Sequence, residues 1–251
     1  MWGHREVLGM LSRAEFHVRY KRASFGVAWA VAVPLVQAGV LAIIFSRLIH
    51  VSSTKNFGAF VLAGVLAWSY FSQGLIAGST AIVDGANLTD KVWFPRALLP
   101  LVSVLSNVPG LLVSMVLLVL LMPLLGTPIE ARILLLIPGC LLLVLFTAAL
   151  STCLSALHVY FRDVKFLVQA AILVWFYVTP IAYPKNFLHG LASVIDFNPM
   201  TGIVTVFQEA VVGPQPGATR AIVIAVVCTV VLTIVAIEAQ RRHDRLFVDR
   251  L

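Results

Sequence analysis

The chain has 251 residues, of which 60% are hydrophobic and only 12% charged, with a formal net charge of +7. Soluble domains carry about 25% charged residues, so a water-soluble fold is excluded for want of polar surface to face water. A mean hydropathy of +0.98 makes lipid the solvent for much of the chain.

Charged residues leave six charge-free windows, at 27–46, 56–83, 97–129, 133–161, 166–184 and 221–237. A helix rises about 1.5 Å per residue, and about 20 residues cross the hydrocarbon. The reading is an all-α polytopic membrane protein with six transmembrane helices at 27–46, 58–81, 97–123, 133–156, 166–181 and 221–237, in one domain, 1–251. Helices are the form expected because lipid forces backbone groups to pair within the segment. Barrel strands would alternate over segments of about 10 residues, and no such pattern occurs.

Ahead of the first window, residues 5–22 are too charged to cross. Val7, Leu11, Ala14 and Val18 fall on one helical face, with Arg5, Arg13, Arg19, Lys21 and Arg22 supplying the polar remainder. This predicts an amphipathic interfacial helix on the inner leaflet. The first apolar stretch is too long for a signal-peptide core and follows a basic segment, so no cleavable signal is expected. Pro34 predicts a kink in span one. Span two carries Gly74 and Gly78, a GxxxG pair that permits close helix approach. Asp84–Arg96 is a loop mixing charges with Leu88, Val92, Trp93 and Phe94. Pro100 and Pro109 interrupt span three, and a turn around Gly126 and Pro128 leads to span four. The second inner loop, His158–Lys165, is short. Between spans five and six, Asn186–Phe197 and Met200–Val212 are each near the 12-residue length expected for short re-entrant or interfacial helices.

Lys and Arg set the orientation. Arg5, Arg13, Arg19, Lys21, Arg22, Lys91, Arg96, Arg162, Lys165, Arg241, Arg242, Arg245 and Arg250 fall on one side of the six spans. Only Arg47, Lys55, Arg132, Lys185 and Arg220 fall on the other. The positive-inside rule then puts both termini in the cytoplasm. A basic inner surface facing anionic lipid or an acidic partner accounts for the net charge, with no nucleic acid needed.

Missing chemistry narrows the function further. No glycine-rich loop leads to a Lys, so no ATP site is expected in this chain, and no zinc-protease or serine-hydrolase motif occurs. Asp and Glu are absent from the middle of every span, so the relay groups of an ion-coupled carrier are not visible. Cys140, Cys153 and Cys228 have no spacing for a metal site or disulfide framework. No metal or cofactor is expected in the chain, and a transporter built this way would need energy from another polypeptide. His158 reads as a boundary residue. Trp68, Tyr70, Phe71, Trp175 and Tyr177 are candidates either to stack on sugar rings in a conduit or to anchor at the membrane interface.

Four ordered segments carry a resemblance. They are Arg19-Tyr20-Lys21-Arg22 with Phe25-Gly26, Trp29 and Pro34-Leu35; Asn87-Leu88, Lys91 and Phe94-Pro95-Arg96; Tyr160-Phe161-Arg162-Asp163-Val164; and Thr179-Pro180-Ile181 with Tyr183, then Asn198-Pro199. In this order they resemble the permease subunit of ABC-2 type exporters for O-antigen, capsule and teichoic acid. Ala23-Ser24-Phe25 departs from that family, which often has Ser and Leu before the glycine. The resemblance implies a homodimer paired with a separate ABC nucleotide-binding subunit, which holds ATP and Mg. It implies a lipid-linked glycan such as lipopolysaccharide O-antigen as substrate, and a bacterial inner membrane as location. Asn87, Lys91, Phe94, Pro95, Arg96, Arg162 and Asp163 would then belong to ATPase-coupling loops. Arg19, Tyr20, Lys21 and Arg22 would belong to the interfacial helix. The alternatives are an ABC-2 exporter of a drug or small lipid, and a membrane-embedded enzyme acting on lipid-linked sugars.

Overall fold

The computed structural model describes residues 5–20, 28–48, 56–85, 98–185 and 192–243. In chain order the helices are α1 (Arg5–Tyr20), α2 (Ala28–Leu48), α3 (Phe57–Asp84), α4 (Leu99–Leu105), α5 (Val108–Leu121), α6 (Leu136–Tyr160), α7 (Val164–Val178), the single turn α8 (Ala192–Ile195), α9 (Pro199–Val212) and α10 (Ala218–His243). No strand occurs among the described residues. Four stretches are long and apolar enough to cross a bilayer: Phe57–Asp84, Leu99–Leu121, Ala131–Tyr160 and Ala218–Gln240. They match expected spans two, three, four and six. The apolar stretch Val31–Ser46 of α2 and the whole of α7 are shorter.

Local sequence explains each boundary. Asn56 precedes α3 with a left-handed φ of 66°, a conformation its short side chain tolerates. The break in the third span follows from Pro109, which lacks an N–H and crowds the preceding turn. The helix pauses at Ser106 and Asn107, whose side chains both donate to the Ser103 carbonyl, at 2.9 and 2.7 Å. Tyr70 Oη donates across to the Val104 carbonyl in the same turn, at 3.2 Å.

Span five differs from its expected form. α7 has 15 residues, about 22 Å of helix against about 30 Å of hydrocarbon. Its Trp175 packs on Trp68 and Phe71, near the midpoint of α3. The helix stops because Pro180 cannot donate and forces Thr179 into an extended conformation, φ −90° and ψ 131°. A window defined only by missing charges overlooked that proline. Of the expected helix Asn186–Phe197, residues 192–195 form the single turn α8, and 186–191 lie outside the described residues. The expected Met200–Val212 helix forms as α9, with Pro199 as its first residue, where a missing N–H costs nothing.

The bundle is organised around α3, which packs against α2, α4, α5, α6, α7 and α9, while α10 lies across α6 and α9. Glycines set the closest approaches. A Cβ on Gly78 would lie 2.6 Å from Ser151 Cβ on α6, and one on Gly202 of α9 would strike the Ala221 carbonyl of α10. From Ser69 onward the exposure of α3 is one-sided. Ser69, Ser72, Gln73, Ile76, Ala77, Thr80, Val83 and Asp84 are exposed or half-exposed, and at helical spacing they share about 140° of the circumference. Outside, α10 presents Val223, Val227, Val230, Val231 and Ile234 as an apolar face, which lipid tolerates and water does not.

Candidate functional site

Several residues singled out from the sequence lie outside the described structure. Lys21, Arg22, Asn87, Lys91, Phe94, Pro95 and Arg96 are among them, and Arg19 and Tyr20 are placed only as backbone in α1. The helix expected at the amino end does form, and it packs against α4, with Ser103 Oγ donating to Glu15 Oε2 at 3.4 Å. Beside this contact Glu15, Thr80, Asp84 and Ser103 line a cavity at one end of the bundle.

At the same end, α6 closes at Tyr160 and α7 opens at Val164, either side of the third motif's Phe161-Arg162-Asp163. Arg162 and Asp163 are exposed between them. Asp163 stands at the capping position, yet its side chain makes no capping bond because its backbone is already helical, φ −77° and ψ −11°. A capping side chain needs an extended backbone to turn back onto the first turn. Its carbonyl does the work instead, accepting from Phe166 N and Leu167 N at 3.0 and 3.1 Å. His158 lies in the last turn of α6, at the boundary expected of it, and is buried with no partner for Nδ1 among the described residues.

The aromatic candidates are mostly interior. Trp68, Tyr70 and Phe71 are buried, Trp175 is half-buried, and of the five only Tyr177 is exposed. Phe71 lies 5.8 Å from Phe146 and 5.2 Å from Trp175 between ring centroids, and Trp68 lies 5.6 Å from Phe176. Aromatics within apolar spans look alike in sequence whether they face a lumen or a neighbouring helix. Here contact among α3, α6 and α7 buries them.

The break after α7 is held by a polar junction that joins the two parts of the fourth motif, Thr179-Pro180 and Asn198-Pro199. Asn198 Oδ1 accepts from Trp175 Nε1 at 2.8 Å and caps α9 by accepting from Met200 N at 3.0 Å. Its Nδ2 donates to Thr179 Oγ1 at 3.0 Å. Gln208 Nε2 of α9 donates to the Pro180 carbonyl at 3.0 Å. Nearby, Lys185 and Asp196 form an ion pair at 2.8 Å, their side chains only 11% and 10% exposed. Tyr183 donates to the Tyr177 carbonyl at 2.8 Å. A Thr-Pro stop, an Asn-Pro start and a Gln inside an apolar segment are the signals that locate this junction.

Among the described residues no three His, Cys, Asp or Glu gather as metal ligands. The acids Glu15 and Asp84 stand apart from the junction of Trp175, Asn198 and Thr179, at different levels of α3.

Comparison with known proteins bears on the whole of this framework. Residues 6–212 match the family described as ABC-2 type transporter. An O-antigen export system permease protein RfbA of Myxococcus xanthus is 28% identical over 211 residues, covering 83% of this chain and 81% of that protein. Proteins of the same description from Klebsiella pneumoniae are 27% and 26% identical over 206 residues, covering 81% of this chain and 79% of each relative.

Proposed function

The chain belongs to the ABC-2 type transporter family, and from that premise we propose that it is the membrane subunit of an ATP-driven exporter of a lipid-linked polysaccharide. It is a transport component, and its relatives are named as permeases of an export system. The observation that carries the reading is that the family match runs from α1 through α9, across three of the four helices long and apolar enough to cross a bilayer.

In this reading two copies pair around a conduit, and a separate ABC nucleotide-binding subunit supplies ATP and Mg. The chain crosses a bacterial inner membrane six times with both termini in the cytoplasm, as its Lys and Arg distribution favours. The fifth crossing is helical for most of its length, completed beyond Thr179-Pro180 by irregular chain that α9 shelters from lipid. Asn87, Lys91, Phe94, Pro95 and Arg96 form the surface on which the nucleotide-binding subunit docks, with Arg162 and Asp163 beside it. Arg19, Tyr20, Lys21 and Arg22 hold α1 at the inner leaflet. The glycan is an O-antigen or a similar envelope polysaccharide.

Affinity purification from native membranes tests this. A co-purifying ATPase with a Walker motif, and loss of surface glycan when the chain is deleted, are the expected results. A chain that purifies alone and whose deletion leaves surface glycan unchanged would refute the reading.

A further inference from the structure

The exposed side of α3 carries polar groups where lipid would punish them. Gln73 lies within one turn of the midpoint of α3 and its side chain is exposed. A glutamine amide offers two donors and an acceptor, yet Gln73 has no hydrogen-bond partner among the described residues. Ser69, one turn earlier on the same side, also leaves its hydroxyl unpaired among the described residues. Ser114 of α5 does the same from across a narrow cleft that it lines with Ser69, Gln73, Tyr70 and Asn107.

Other amides show that this chain pairs such groups when they serve the fold. Asn107 donates to the Ser103 carbonyl at 2.7 Å, and Gln208 to that of Pro180 at 3.0 Å. Asn198 makes the bonds of the junction. The exceptions within apolar helices share a pattern. Gln37 stands at the middle of α2 and Gln169 in the lower half of α7, and neither has a partner among the described residues. Both helices pack on α3. Thus α3 and two helices packed on it each carry one glutamine whose side chain is unpaired among the described residues. An unsatisfied amide facing acyl chains is unfavourable, whereas one facing a polar path is not.

We infer that Gln37, Gln73 and Gln169 form the hydrogen-bonding wall of the cargo path and contact sugar hydroxyls as the glycan passes. This deepens the exporter reading and rests on it. Glutamine suits a moving polyol because it donates and accepts without charge, so it matches hydroxyls in any orientation and holds none tightly. The path then runs along the open side of α3, while Trp68 and Phe71 support it from behind.

The test uses the full chain with its ATPase in membranes, after Cys140, Cys153 and Cys228 are replaced by Ala. Gln37→Cys, Gln73→Cys, Gln169→Cys and, on the outer face of α10, Val230→Cys are each exposed to a charged, membrane-impermeant methanethiosulfonate, with and without ATP. The glutamine positions should label and export should then fall, while Val230→Cys stays unlabelled. Failure of all three glutamine positions to label in either nucleotide state, or labelling that leaves export intact, would overturn the inference. In unlabelled protein Gln73→Leu should lower export about fivefold, the loss of one neutral hydrogen bond, with normal protein level and ATPase association. Gln73→Asn should retain most of it. Wild-type export from Gln73→Leu would also overturn the inference. Surface glycan made by the unsubstituted chain in the same cells checks the exporter reading separately, so the two failures cannot be confused.

Discussion

Two opposite sides of α3 run the same length of one helix and meet different surroundings. On the side toward α6, Gly74 and Gly78 remove side chains so that Thr147 and Ser151 can close in. Ser155 Oγ there accepts from Ile82 N at 3.1 Å, and Phe71 stacks near Phe146. Nothing on that side is left open. On the far side Ser69 is half-exposed and Gln73 exposed, and the side chains of both are unpaired among the described residues. Both sides contain polar or small residues that look equally out of place in an apolar helix. Partnership separates them: paired groups hold the bundle together, and unpaired ones face what moves through it.

That distinction can be broken by substitution, and the largest effect belongs to the closed side. Gly78→Leu must fit a branched side chain where even a Cβ comes within 2.6 Å of Ser151 Cβ. Overpacking of a dense interior costs about 1–3 kcal/mol or more, so the assembled protein should largely disappear from a fluorescence-detected size-exclusion profile. Next comes Asn198→Ala, which strands Trp175 Nε1 and the amide of Met200. Lost capping and two orphaned groups amount to about 2–4 kcal/mol, read as a lower apparent Tm in detergent with export impaired. Tyr70→Phe removes one buried bond to the Val104 carbonyl and should cost about 0.6–1 kcal/mol. The smallest effect on stability is expected at the open side. Gln73→Leu should leave the apparent Tm within the shift of about 0.5 kcal/mol, since no internal bond is lost. A large Tm drop at Gln73 would erase the difference between the two sides.

Much of this framework is legible in the sequence because charge depletion and helix length are strong signals. α3, α6 and α10 lie where the charge-free windows place them, and the prolines of span three locate the break between α4 and α5. Span five was harder, since counting charges does not reveal that Thr179-Pro180 ends the helix early. The sugar-stacking proposal for Trp68 and Phe71 met a different obstacle. Ring chemistry is visible in sequence, but direction is not, and these rings turn toward Phe146 and Trp175. Gln73 could have been found as an amide in an apolar span, yet its lack of a partner is knowable only from the fold. For Asp163 the position was readable from the motif, while the backbone angle that denies it a capping bond was not.

Central to the proposed function is that this chain moves a glycan across the membrane using energy from another subunit. Reconstitution into liposomes with the co-purified ATPase and a radiolabelled lipid-linked glycan, followed by enzymatic digestion of whatever reaches the opposite leaflet, measures that directly. Transbilayer movement that requires ATP and both subunits is the predicted result. Movement that proceeds without ATP, or a chain that alters the glycan covalently while translocating none, would contradict it.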